Sequence, residues 1–202
     1  MTIQQIRALG PKLSGYLDEF TDCFITSDPR HHLRHYVQGQ LSNLPRKSVE
    51  PIAHLTDVPP RTLQEFLSLS EWDHDRLRDT VQRLVARDHG EDQAIGIIDE
   101  SGHPKKGNKT ACVQRQYCGA SGKIDNCVMS VHLCCASFDG QFRAMLDSDI
   151  YMPEKGWDAQ RREEAGIPDS MFYRAKHEMG LEQLRRALAN GMRFGWILAD
   201  EW

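Results

Sequence analysis

The sequence predicts a mixed α/β protein, with a helical N-terminal region over residues 1–90 and a mixed sheet over residues 91–202. The elements of the second region run strand, strand, strand, helix, strand. Two observations carry this division. Up to residue 90, apolar residues recur at three- and four-residue intervals, the period of one helix face. From residue 94 the pattern changes to short apolar runs and two-residue alternation, the period of strands.

The first helix is marked by Leu13, Leu17, Phe20 and Phe24 on one face. Asp28 followed by Pro29 reads as an N-cap and first-turn proline opening a second helix through Leu33, Tyr36 and Val37. Leu44-Pro45 ends it. A short helix through Ile52 and Leu55 follows, then a break at Pro59-Pro60 and an amphipathic stretch with Leu63, Phe66 and Leu67. Ser70 with Asp73 resembles a capping box for the stripe Leu77, Val81, Leu84 and Val85, which closes at Gly90.

Ala94 to Ile98 is a short apolar run ending at Asp99, as suits a buried strand. Over residues 126–137, Cys127, Met129, Val131, Leu133 and Cys135 share one face, with Ser130 and His132 on the other. Asp139-Gly140 signals a hairpin turn into a returning strand from Phe142 to Tyr151. A polar connection runs from Glu154 to about Ile167. Leu181, Leu184, Ala187 and Leu188 mark a helix, and Phe194 to Ala199 is a last buried-strand candidate leading into Asp200.

Composition narrows the function classes. Apolar residues make up 40% and charged residues 27%, the balance of a soluble globular protein. With a formal net charge of −4, nucleic-acid binding has to come from a local patch and not from the overall field. No stretch reaches the roughly 20 apolar residues of a membrane span, and the N-terminus has no apolar signal run. The expectation is a cytoplasmic protein, without a membrane partner, whose six cysteines are reduced thiols.

Asp99 and Asp200 each follow an apolar strand directly, and each precedes a glutamate. Were the two strands neighbours, the carboxylates would meet, and two clustered carboxylates need a divalent cation to neutralise them. Such a site suits phosphodiester chemistry. Spacing alone equally admits two turn-forming aspartates at strand ends. Between Glu100 and Asp125 lie Lys105, Lys106, Lys109, Arg115 and Lys123, with no acidic residue among them. This basic segment is either a phosphate-backbone contact beside the metal or a solvated hairpin.

The strings GIIDESGHPKKGNKT, VQRQYCGASGKIDNC and FGWILADEW resemble the DDE superfamily endonucleases of bacterial insertion sequences. RKSVEPIAHL and LQEFLSLSEWD resemble the helical N-terminal region of the same transposases, so the resemblance covers nearly the whole chain. It implies an RNase H-like catalytic domain with strand order β-β-β-α-β up to its second acid. Asp99 and Asp200 would be the first two catalytic aspartates, holding Mg2+ or Mn2+ for cleavage and joining of DNA at transposon ends. Lys105, Lys106 and Arg115 would contact the DNA backbone. Glu100 and Glu201 would point away from their aspartates in extended strands.

The family's third carboxylate lies on a later helix, and this chain stops at Trp202. The expectation is therefore an incomplete RNase H-like domain, inactive alone, with a partner in DNA and in itself or a full-length transposase. The alternative is a non-catalytic DNA-binding or transposase-interfering remnant.

Other clusters read as structural. The cysteines at 112, 118, 127, 134 and 135 lack C-x2-C spacing and suit small buried hydrophobes better than zinc ligands. His31 and His35 read as exposed polar helix positions, and Asp147 and Asp149 as strand-end or turn residues. Trp157, Trp196 and Trp202 read as packing residues.

Overall fold

A computed structural model describes residues 3–200, so Glu201 and Trp202 lie outside the described residues. The chain divides into two compact units, Met1–Thr80 and Val81–Trp202. No helix among the described residues is long and apolar enough to cross a membrane.

The first unit is helical: α1 (Ile3–Asp18), α2 (Ser27–Leu41), α3 (Val49–Leu55), α4 (Pro60–Ser68) and the start of α5 (His74–His89). Two boundaries differ from expectation. α1 stops at Asp18, and Phe20 and Phe24 fall in and around a short 3-10 turn, where both are still buried. α2 starts at Ser27 with Thr26 as N-cap, so Pro29 occupies the first turn, where no N–H is needed by the helix. Asp73 itself caps α5, its Oδ1 accepting the Arg76 N–H at 2.8 Å, with no box to Ser70. Ile52, Ala53 and Leu63 form a core here, with Tyr36, Leu44, Val49 and Val58 packed against it.

The second unit is a five-stranded mixed sheet with α7 packed against β3 and β4. Its strands are β1 (Ile95–Pro104), β2 (Gln114–Cys118), β3 (Lys123–Ala136), β4 (Arg143–Ile150) and β5 (Trp196–Ala199). β1 lies between β3, antiparallel to it, and β5, parallel to it. The far edge of β3 takes β2 along Lys123–Cys127 and β4 along Ser130–Ala136. α6 (Ala159–Glu164) and α7 (Lys176–Ala189) fall between β4 and β5. The expected order lacked β2 and α6; both are short and polar, with little periodicity to reveal them.

The two faces of the sheet differ sharply. Cys127, Met129, Val131, Leu133 and Cys135 of β3 are all buried, as their alternation predicted. Ile98 joins them, and the core continues through Val85, Met179 and Ala187. Of the α7 leucines, Leu181 and Leu188 are exposed and Leu184 is half-buried, while Met179, Gln183 and Ala187 are buried. Gln183 tolerates burial because its Nε2 donates to the Val131 carbonyl at 2.9 Å. A register shift between Leu133 and Cys134 puts Leu146 and Asp147, consecutive residues of β4, both in the interior.

The opposite face is only partly open, since Val128 of β3 is buried there against Cys112, Val113, Met152, Trp157 and Ile167. Met145 is 56% exposed, Trp196 62% and Leu198 54%, so Trp196 is a surface residue and not the packing residue expected. Met145 with Ile95, Ile97, Cys134 and Ala136 borders a shallow apolar depression of about 520 Å³ on the β1, β3 and β4 part of the sheet.

Candidate metal and nucleic-acid site

Asp99 sits near the middle of β1, not at its end, because the strand runs on to Pro104. Side chains alternate along a strand, so Ile95, Ile97, Asp99, Ser101 and His103 share the open face of the sheet. The parallel register of β1 with β5 ends at Ile98↔Ala199. Carried one residue further, that register would put Asp200 opposite Asp99, neighbouring strands lying about 4.8 Å apart. Both residues are exposed. Two features of the chain let β5 approach so closely. A Cβ on Gly96 would lie 2.6 Å from Ile197 Cδ1, and one on Gly195 would lie 2.9 Å from the Asp92 carbonyl oxygen.

The Asp99 carboxylate is partly committed, since its Oδ1 accepts the Glu100 N–H at 2.7 Å. Glu100 points to the covered face, where its carboxylate pairs with Lys176 of α7. That separation of neighbours is the one expected for an extended strand; Glu201, for which the same was expected, lies outside the described residues.

Across β1 and β3, Asp99 is directly opposite His132, and Ser101 is opposite Ser130. Ser130 Oγ lies 2.8 Å from His132 Nε2 and 3.0 Å from His103 Nε2, making a chain of three side chains beside Asp99. Burial and the neighbouring His103 hold the His132 imidazole below its ordinary pKa, against the opposing pull of Asp99. The sequence reading placed Ser130 and His132 on one face but gave them no role. Only the strand register brings them to Asp99.

The five basic residues are all exposed, but they are not beside the aspartates. Lys105, Lys106 and Lys109 follow the far end of β1, Arg115 is in β2, and Lys123 opens β3 with its Nζ 3.6 Å from Asp125. Lys105 lies six positions along the chain from Asp99, about 20 Å at roughly 3.3 Å per residue. They form a patch at one end of the sheet, away from the carboxylate pair.

Asp147 and Asp149 are inside β4, not at its end. Asp147 faces the covered side, where Arg186 Nη1 lies 2.6 Å from its Oδ2, and Gln82 Nε2 lies 3.4 Å from the same oxygen. Asp149 Oδ2 is 3.9 Å from Arg174 Nη2. Their roles are in the packing of α7 and not at the open face. Of the histidines on α2, His31 is exposed but His35 is half-buried, so only the first fits the exposed position expected of both. Five of the six cysteines are buried and Cys134 is half-buried; all are free thiols. Burial and the adjacent Cys118 push the Cys127 thiol up to about 11. Among the described residues no three His, Cys, Asp or Glu side chains already converge in a way that holds a metal ion.

Residues 19–202 match the family model described as "DDE superfamily endonuclease". The chain is also 33% identical over 163 residues to a protein of Microchaete diplosiphon named "Probable transposase for insertion sequence element IS701". That match covers 80% of this chain and 40% of the relative, so the chain spans less than half of the relative's length. No solved structure matches. A family model that takes in nearly the whole chain, with both aspartates and the strands that carry them, settles the affiliation: the chain belongs to the DDE superfamily endonucleases.

Proposed function

We propose that Asp99 and Asp200 are two acids of a divalent-cation site, for Mg2+ or Mn2+, serving DNA strand cleavage and transfer in transposition. The observation that supports this reading is the parallel register of β1 and β5, which, carried one residue further, would put the two exposed aspartates side by side. The donor set fits: paired carboxylates with few cations near them are the oxygen ligands that hard divalent ions take. When bound, such ions activate the attacking oxygen and stabilise the leaving oxygen of a phosphodiester.

The chain's own residues would do the rest. Glu100 N–H orients the Asp99 carboxylate through its hydrogen bond to Oδ1. Lys105, Lys106, Lys109, Arg115 and Lys123 would hold DNA backbone at the end of the sheet, fixing where the strand crosses the open face. DNA at the transposon ends is the proposed substrate, and a transposase copy the proposed protein partner. The helical region 1–90 would precede the catalytic region 91–202.

Iron-directed cleavage tests the site without requiring activity. Fe2+ with ascorbate and peroxide generates radicals at the ion and cuts the polypeptide next to it. The expected result is backbone cuts around residues 99 and 200, suppressed by excess Mg2+. Cuts elsewhere, or cuts indifferent to Mg2+, would remove the reading. A purely DNA-binding role would instead leave DNA affinity intact in Asp99→Asn while showing no ion-directed cuts at either aspartate.

A further inference from the structure

We infer that Arg161 is a positioning residue of the proposed DNA interface: with Trp157 it clamps the basic loop 105–113, so that its lysines are set before DNA arrives. This rests on the reading of Lys105, Lys106 and Lys109 as backbone contacts and adds the part of the chain that holds them in place.

The loop joins β1 to β2, and residues 105–110 are exposed. A surface loop of this kind is ordinarily mobile. Here both halves are tied down by side chains from other segments. In the first half the Lys105 N–H donates to the Asn126 carbonyl at 2.8 Å, and Asn126 Nδ2 donates to the Gly107 carbonyl at 3.0 Å. The second half is held from the connection that follows β4. Arg161 Nη2 donates to the Asn108 carbonyl at 2.8 Å, while its Nη1 donates to the Gly156 carbonyl. The guanidinium carbon lies 3.8 Å from the centre of the Trp157 ring, and Trp157 Nε1 donates to the Val113 carbonyl at 3.2 Å. One stacked pair thus grips the loop at Asn108 and at Val113.

Between those two points the loop is anchored in a core. Cys112 is 1% exposed with a φ of 61°, a left-handed shape that costs any residue with a Cβ. Its thiol lies 3.6 Å from Met152 Sδ and 3.5 Å from Met171 Sδ. Val113, Trp157 and Ile167 belong to the same buried cluster. Lys109 stays outside, where with Asn108, Gln160 and Arg161 it lines a polar cleft of about 450 Å³.

A loop that orders only on binding loses affinity to entropy, and one already fixed does not. Arginine suits the clamp because its planar fork donates to two carbonyls while its face stacks on an indole; a lysine ammonium cannot do all three. With those donors on main-chain carbonyls and one face on Trp157, Arg161 acts through the loop and not as a further phosphate contact.

The test pairs amide hydrogen exchange by NMR with filter binding of a short DNA duplex to the 202-residue chain. In Arg161→Lys, which keeps the charge, the Val113 amide, bonded to the Thr110 carbonyl at 3.1 Å, should exchange several-fold faster. The Lys105 amide, held by Asn126, should not change. DNA affinity should fall roughly three- to tenfold, the scale of one or two net hydrogen bonds. Adding Lys109→Ala should weaken binding little beyond the worse single substitution, because both act through one contact. Trp157→Phe, which keeps a buried ring and loses the N–H, should loosen Val113 in the same way. Full DNA affinity in Arg161→Lys, unchanged Val113 exchange in both variants, or equal loosening at Lys105 overturns the clamp. Strictly additive losses would make Arg161 a separate phosphate contact and also overturn it. In each of those cases a loss of affinity in Lys109→Ala alone leaves the DNA reading standing. If Lys105, Lys106 and Lys109 can all be replaced by alanine without loss of affinity, both fall.

Discussion

Arg186 of α7 places its guanidinium 2.6 Å from the carboxylate of Asp147, whose side chain is 1% exposed on the covered face of the sheet. Gln82 reaches the same carboxylate oxygen at 3.4 Å and donates to the Leu146 carbonyl at 3.0 Å, and Asn190 Nδ2 donates to Gln82 Oε1 at 2.8 Å. A buried charge in β4 is thus enclosed by polar side chains from α5, from α7 and from the residue that ends α7. Removing one partner of such a pair strands the other charge. Arg186→Met is expected to destabilise the second unit by about 2–3 kcal/mol, below the full buried-pair penalty because the arginine is 26% exposed. Asp147→Leu with Arg186→Met should recover part of that loss. Denaturant unfolding followed through buried Trp157 measures both.

Gly39 of α2 is buried, and a Cβ there would lie 2.3 Å from Ile52 Cγ2 and 2.9 Å from Ile52 Cβ. Replacing a helical glycine by alanine normally stabilises by about 0.5–1 kcal/mol. Here overpacking against α3 works against it at about 1–3 kcal/mol, so Gly39→Ala should be net destabilising. Gly39→Ala combined with Ile52→Val should be less destabilised than Gly39→Ala alone. Thermal unfolding of the single and double variants reads the sign directly.

His32 meets Phe66 edge-on, with ring centroids 6.0 Å apart, and its Nδ1 is buried without a hydrogen-bond partner. Burial, then His35, holds its pKa below 6.5 in the folded chain. The unfolded chain therefore binds this proton more readily. The stability it contributes is present above pH 6.5 and is lost as pH falls from there through the lowered folded value. Melting temperature should drop between pH 7.5 and 5.5, and His32→Gln should flatten that drop. An unchanged slope in the variant would contradict the assignment.

Lys105, Lys106 and Arg115 are exposed at the end of the sheet. If each meets a phosphate, replacing one by alanine should lower the slope of log affinity against log salt by roughly 1, with little effect on sequence preference. Lys123→Ala should do less, because its ammonium already has Asp125 at 3.6 Å. Filter binding at several salt concentrations distinguishes these cases.

These residues also show what the sequence revealed and what it hid. The buried face of β3 was readable from Cys127 to Cys135 because its apolar residues recur at every second position, although Val128 and Ser130 on the other face are buried as well. Asp99 and Asp200 stood out because each follows an apolar run. Leu181, Leu184, Ala187 and Leu188 located α7 as a helix but did not show its packed face, where Ala187 is joined by Gly180 and a hydrogen-bonded Gln183, since small residues let a helix approach the sheet. The burial of Asp147 was invisible because it depends on a one-residue register shift in β4 and on an arginine 39 residues away. His132 comes opposite Asp99 only through strand register, a long-range property that no local pattern encodes. The basic segment was found by charge alone, but its distance from Asp99 follows from β1 continuing past it to Pro104.

The most direct measurement is calorimetric titration of Mn2+ into the 202-residue chain, alongside Asp99→Asn and Asp200→Asn. The account predicts one site in the unaltered chain, with each substitution weakening it by roughly tenfold or more, because each removes a charged oxygen ligand from the same ion. The two effects should not add, since either loss dismantles the shared site. Binding that survives unchanged in either variant would contradict the pairing of Asp99 with Asp200.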